Sequence, residues 1–301
     1  MNVIDKLGHA FGRPGAIRFS QSPLGGPIAT LCEEAGEVDI ALKGGQVLAW
    51  RRGGEDLLWL SPMARLDDRK PVRGGIPVCW PWFGPHPKDA KRPAHGFART
   101  ADWQPVSSSA TAGEASLTLV LSPAPEHERL WPHKASATLT VKLSGGLSVE
   151  LRTRNEGQEP IEITQALHTY FRVGEIARCA IDGLGGHDYI DKLDGNREKP
   201  QIGRIIIDRE LDRIYLGPAP LVTLRDTSHG RSIEVRGRGS RSTVVWNPWI
   251  DKAARLGDLG PDGWRRMLCI ETANAGPDLR TLEPGSEASI GVTYSVVPIR
   301  S

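Results

Sequence analysis

The chain has 301 residues, 39% of them hydrophobic and 25% charged, with a formal net charge of +2. That composition is ordinary for a globular protein able to bury a sizeable core. The near-neutral balance excludes the electrostatic footprint of a nucleic-acid or membrane-surface binder, and no segment approaches the roughly 18 apolar residues of a membrane-spanning helix.

Residues 1–18 carry Lys6, Arg13 and Arg18 without an apolar stretch, so they do not read as a secretory signal. Cys32, Cys79, Cys179 and Cys269 are scattered, with no CxxC pair, which argues against zinc and redox motifs. Cys79 and Cys269 lie in apolar runs and read as small buried residues. A cytoplasmic, reducing location is expected. Nine tryptophans stand against four tyrosines and five phenylalanines. Indole faces pack on the C–H faces of sugars as readily as in cores, so this balance is compatible with carbohydrate.

In chain order, short β-prone runs recur between turn residues. They are 37–42, 46–50, 116–121, 136–143, 147–154, 161–166, 205–207, 232–235 and 242–246. From Ala137 to Leu143 every second residue is apolar, as a half-buried strand requires. The pattern repeats from Leu147 to Arg152 after Ser144-Gly145-Gly146, a hairpin signal. With 34 Gly, 23 Pro and little helical periodicity, the chain reads as an all-β sandwich or barrel forming a single domain over 1–301.

Several segments carry side chains suited to chemistry. In Pro71 to Pro85, Gly74-Gly75 allows a turn or a close approach to a ligand, and the Arg73 fork suits phosphate or carboxylate. Arg73 is equally compatible with a solvated arginine beside an aromatic loop. If His95-Gly96-Phe97-Ala98-Arg99 is a strand, His95 and Arg99 share one face, as pocket residues or as surface ones. His168, within Ala166 to Phe171, is either a core histidine or a general acid on a strand walled by aromatics. Burial would lower its pKa and a neighbouring carboxylate would raise it. Asp212, in Glu210 to Tyr215, reads as a surface ion-pair partner or a ligand to a hydroxyl. Trp246 and Trp249 flank a rigid turn that is either core or a sugar-stacking wall. Glu271 closes the apolar run Met267 to Ile270, at a solvent boundary or inside a pocket where burial would make it a better base.

Together the segments PVRGGIPVCWPWFGP, AHGFAR, ALHTYFRV, LDRIY, VVWNPWIDKA and MLCIETANA resemble the D-hexose-6-phosphate mutarotases of the aldose-epimerase superfamily. They occur in that family's order from Val72 to Asn274. Their joint occurrence is specific where each alone is not. The resemblance implies a large antiparallel β-sandwich of the galactose-mutarotase type. It implies that His168 is the catalytic acid and Glu271 the base, with substrate contacts from Arg73, His95, Arg99 and Asp212. The implied reaction is anomer interconversion of a hexose 6-phosphate by a monomer that needs no metal or other cofactor. Ala94 departs from relatives that carry a polar residue before the HG pair. A non-catalytic sugar-binding protein and a mutarotase of unphosphorylated aldoses are the rival readings. Hydrolysis, which normally uses two carboxylates, fits a carboxylate–imidazole pair poorly.

Overall fold

The computed structural model describes residues 1–34, 36–66, 70–122 and 124–299. Two large antiparallel sheets dominate. The nine-stranded sheet runs in the order Ile205–Ile206, Cys179–Asp182, Val222–Asp226, Arg231–Arg238, Glu287–Pro298, Leu147–Asn155, Ala135–Leu143, Glu114–Ser122, Asp102–Thr111. The eight-stranded sheet runs Arg197–Pro200, Asp188–Asp191, Leu211–Leu216, Ser242–Asn247, Met267–Asn274, Gln165–Leu167, Val78–Cys79, with Tyr170–Arg172 also paired to Met267–Asn274. A five-stranded sheet from Ile17 to Asp56 precedes them. The all-β reading therefore holds.

The alternating hairpin is where the pattern places it. Leu139 stands opposite Leu151 and Val141 opposite Val149, and Gly145 supplies the positive φ of the turn. The inward residues of this hairpin join one core cluster with Leu268 and Ile270 of the eight-stranded sheet and with Leu31, Ile40 and Trp50 of the first. Burying one side of every strand against this cluster fixes register, because a one-residue slip would turn each apolar set outward.

Short helices interrupt the strands. Val3–Phe11 starts at a capping box in which Asn2 and Asp5 each bond the other's backbone N–H. Trp249–Leu256 and Gly263–Arg266 sit in the connection between two central strands of the eight-stranded sheet. No helix among the described residues is long and apolar enough to cross a membrane.

The segment Pro71 to Pro85 is largely buried, and its Gly74-Gly75 pair lies against backbone. A Cβ on Gly75 would lie 2.1 Å from the Val47 carbonyl oxygen, and one on Gly74 would lie 2.5 Å from that of Trp59. The HGFAR segment is not a strand. His95 and Gly96 both have positive φ, and Ala98–Thr100 is a 3-10 turn. The cause is crowding: Gly96 passes so close to Trp80 that a Cβ would sit 2.0 Å from its carbonyl oxygen.

Candidate active site

The strand Met267–Asn274 organises the site. Its alternate side chains Leu268 and Ile270 enter the main core, while Met267, Cys269, Glu271 and Ala273 face the other side of the sheet. All eight residues are buried. Glu271 is therefore mid-strand rather than at a strand end, and it is 1% exposed. Its cross-strand partner is Val244, and one strand further Asp212 stands opposite Trp246. These residues share a face with Glu271, which gives the recess a floor of two apolar and two acidic side chains.

His168 sits where the strand reading of ALHTYF breaks. Gln165–Leu167 and Tyr170–Arg172 both pair with Met267–Asn274, and the register is the same on either side of the break. His168 thus faces Glu271, with its Nε2 3.3 Å from Glu271 Oε1. Its own N–H donates to the Pro77 carbonyl. The next side chain, Thr169, points into the core and shares a 2.5 Å hydrogen bond with the Tyr294 hydroxyl. Tyr170 stacks on the imidazole at 4.7 Å, and Trp246 meets it edge-on at 6.1 Å.

His168, Glu271, Asp212, Arg73, His95, Phe83, Val244, Trp246 and Lys252 line a recess of about 180 Å³. Five of the six residues expected at the site meet there. Arg99 stands outside this lining and donates to the Ala94 carbonyl at 2.7 Å. Its charge still acts on His95, His168 and Glu271. Trp246 forms a wall of the recess, whereas Trp249 turns away to pack on Trp264.

His95 is held in a left-handed conformation by a reciprocal clasp. Its N–H donates to the Gly84 carbonyl at 2.7 Å, and the Gly84 N–H donates to its Nδ1 at 3.3 Å. That second bond assigns the proton of the neutral ring to Nε2. Burial, then the Arg99 and Arg73 charges, push its pKa down to about 3, so it is a neutral donor at ordinary pH.

The central pair is perturbed in both members. Burial, then His95, Arg99 and Arg73, hold the His168 imidazole well below its usual pKa. Burial, then the Asp212 carboxylate, holds the Glu271 carboxyl well above its usual range. The two shifts point the same way, since burial disfavours the charged form of each member. His168 Nδ1 and Glu271 Oε2 are buried without a hydrogen-bond partner among the described residues. Such orphans are costly, and a polar guest that completes them stabilises the site. Cys269 brings a third donor within 4.8 Å of this pair. Burial, then Glu271, raises the Cys269 pKa, which keeps it a thiol beside the pair.

These geometric features meet a clear family match. The aldose 1-epimerase family model covers residues 27–295. The chain belongs to the aldose 1-epimerase family. In that family's terms it is an isomerase, and the fold agrees. A Salmonella typhimurium protein described as a "putative mutarotase" has a crystal structure that matches with a TM-score of 0.88 at 27% identity, over 99% of this chain and 100% of that one. Among curated proteins, a Cenchrus ciliaris protein named "Putative glucose-6-phosphate 1-epimerase" is 36% identical over 274 residues, covering 86% of this chain and 81% of its own. An Escherichia coli (strain K12) protein of the same name is also 36% identical, over 79% of this chain and 80% of its own.

Two charged residues at or beside this recess, Lys252 and Asp258, are not among those expected from the sequence. Lys252, on the helix Trp249–Leu256, lines the recess with its Nζ 3.3 Å from Glu210 and 4.0 Å from Asp212. Asp258, just beyond that helix, pairs with Arg73. Both lie on one connection, 248–266, fastened at its base by the buried Asn247. The Asn247 amide donates to the Trp264 and Met267 carbonyls, each at 2.9 Å, and its oxygen accepts from the Trp249 N–H at 2.9 Å. The WNPWIDKA run held Lys252 in view, but nothing local in it says that the lysine returns to the sheet.

Proposed function

We propose that this protein interconverts the α and β anomers of a hexose 6-phosphate, glucose 6-phosphate being the leading candidate, by acid–base ring opening and reclosure. The observation that carries the reading is the buried His168–Glu271 pair, 3.3 Å apart, at a recess also lined by the cations Arg73 and Lys252. Relatives at 36% identity bear the glucose-6-phosphate 1-epimerase name, which supports the same substrate.

In the proposed reaction Glu271 takes the proton of the anomeric hydroxyl, and His168 protonates the ring oxygen as the C1–O5 bond breaks. The open-chain aldehyde rotates about C1–C2. Closure on its other face returns both protons and gives the opposite anomer. Positioned acids and bases of this kind each contribute roughly 100- to 10,000-fold. After ring opening the carboxyl is protonated and the imidazole neutral. That is the distribution the buried environment favours, so the site stabilises the protonation state of the open-chain intermediate. His95, through Nε2–H, and Asp212 orient sugar hydroxyls. Arg73 and Lys252 hold the phosphate, and Arg99 adds positive potential from outside the lining.

Residues 1–301 act in this reading as one domain and a monomer in the cytoplasm, without metal or cofactor. The core cluster shared by the three sheets supports the one-domain part. A solution mass near 32.8 kDa would agree with the monomer.

Exchange between anomers, followed by saturation-transfer NMR, tests the mechanism. Glu271→Gln should lose enzymatic exchange by at least about 100-fold while remaining folded. Exchange at the wild-type rate would remove Glu271 as the base. Arg73→Ala should weaken glucose 6-phosphate far more than glucose, and equal losses on both would end the phosphate assignment.

A further inference from the structure

We propose that Asp258 is a positioning residue for Arg73, presenting the end of its guanidinium fork to the substrate phosphate. The proposal rests on the reading of Arg73 as a phosphate ligand. One oxygen, Asp258 Oδ2, accepts from Arg73 Nε at 3.1 Å and lies 3.0 Å from Arg73 Nη2. Arg73 Nη1 donates to the Tyr170 hydroxyl at 3.1 Å. A guanidinium has five N–H groups. Nε and Nη1 each commit one N–H to a hydrogen bond, Nη2 lies beside the carboxylate, and N–H groups remain on both Nη1 and Nη2. Those two nitrogens form the end of the fork, the edge that meets two oxygens of a phosphate at once.

The pair is built into the fold from both sides. The Ser61 N–H donates to the Arg73 carbonyl at 3.0 Å, and the Ser61 hydroxyl donates to the Asp258 carbonyl at 2.6 Å. The neighbour of Asp258, Leu259, is buried. Backbone contacts therefore hold residue 258 in place whatever its side chain. The Asp258 carboxylate also opposes the phosphate by charge, so orientation and repulsion predict opposite results when it is removed.

The experiment compares Asp258→Ala, Asp258→Asn, Arg73→Ala and the Arg73→Ala/Asp258→Ala double variant. Each is checked for folding by thermal melting, and kcat and KM for glucose 6-phosphate are read from anomer exchange. Because both guanidinium contacts converge on one oxygen, an amide oxygen can keep them. Asp258→Ala should raise KM roughly tenfold with little change in kcat, as expected for loss of a charge-assisted contact that acts in binding. Asp258→Asn should restore KM to near the wild-type value. In the Arg73→Ala background, Asp258→Ala should add nothing. A wild-type KM in Asp258→Ala, beside a raised one in Arg73→Ala, would overturn the positioning role and leave the phosphate reading standing. A lowered KM in both Asp258 variants would show repulsion alone and also overturn it. An unchanged KM in Arg73→Ala would sink the phosphate reading itself, and this proposal with it.

Discussion

Two strands of the same sandwich bury their side chains on opposite terms. In Ala135–Leu143 the buried residues are Ala137, Leu139, Val141 and Leu143, and the polar residues between them keep contact with water. In Met267–Asn274 every residue is buried, Glu271, Thr272 and Asn274 included. Thr272 and Asn274 are minor cases, since the Asn274 amide bonds Gly239 and Asp278. Glu271 is different: one of its oxygens has no partner among the described residues, and it faces an imidazole with the same deficit. The first strand spends its burial on cohesion. The second leaves a buried carboxyl and imidazole incompletely bonded among the described residues, a cost that a purely cohesive strand avoids.

Substitutions at the two strands should separate these roles. The largest stability effect is expected for Leu139→Ala, whose fully buried side chain sits in the main core. It should cost about 2–5 kcal/mol in urea unfolding while anomer exchange per folded molecule stays near wild type. Glu271→Gln should do the reverse, losing exchange yet gaining about 1–3 kcal/mol near pH 8, because a carboxyl whose charged form burial disfavours is replaced by an amide that never ionises.

The pH dependence sharpens the contrast. Glu271 has a folded pKa raised above its unfolded value. Its favourable contribution is complete below the unfolded value of about 4.3 and is lost as pH rises toward the folded one. The advantage of Glu271→Gln over wild type should therefore vanish near pH 4 and grow with pH. His168 is the mirror case, with a folded pKa below its unfolded value of about 6.5. Wild type loses stability as pH falls through that value, so the advantage of His168→Asn should grow from pH 7 to pH 5. Melting curves across pH check both signs, and parallel curves for variant and wild type would contradict them. The smallest effect belongs to Tyr294→Phe, which removes the hydroxyl bonded to Thr169 behind His168. It should cost about 1 kcal/mol and slow exchange modestly, since the imidazole keeps its stacking on Tyr170.

What the sequence made legible was periodic. The hairpin at Ser144-Gly145-Gly146 followed from alternation and turn residues alone, and the burial of Cys79 and Cys269 from their apolar surroundings. His168 and Glu271 were visible as polar residues inside apolar runs, with their pairing implied by family resemblance. Their opposition depends on a register between segments about a hundred residues apart, which no local pattern encodes. The HGFAR strand failed because His95 and Gly96 both take positive φ, His95 clasped to Gly84 and Gly96 close against the Trp80 backbone, which are tertiary causes. Lys252 and Asp258 were missed for a related reason. The helix that carries Lys252 is short, Asp258 follows it on the same connection, and the lysine gains meaning from a recess made by strands far away in the chain.

The single amide of Asn247 has a topological reading. By gripping both ends of 248–266 it turns that connection into a closed ring, so the sheet does not register how long the ring is. Each doubling of such a loop costs only about 0.6 kcal/mol in closure entropy. A change in the length of the ring would carry Lys252 and Asp258 with it and leave the His168–Glu271 pair in its own sheet.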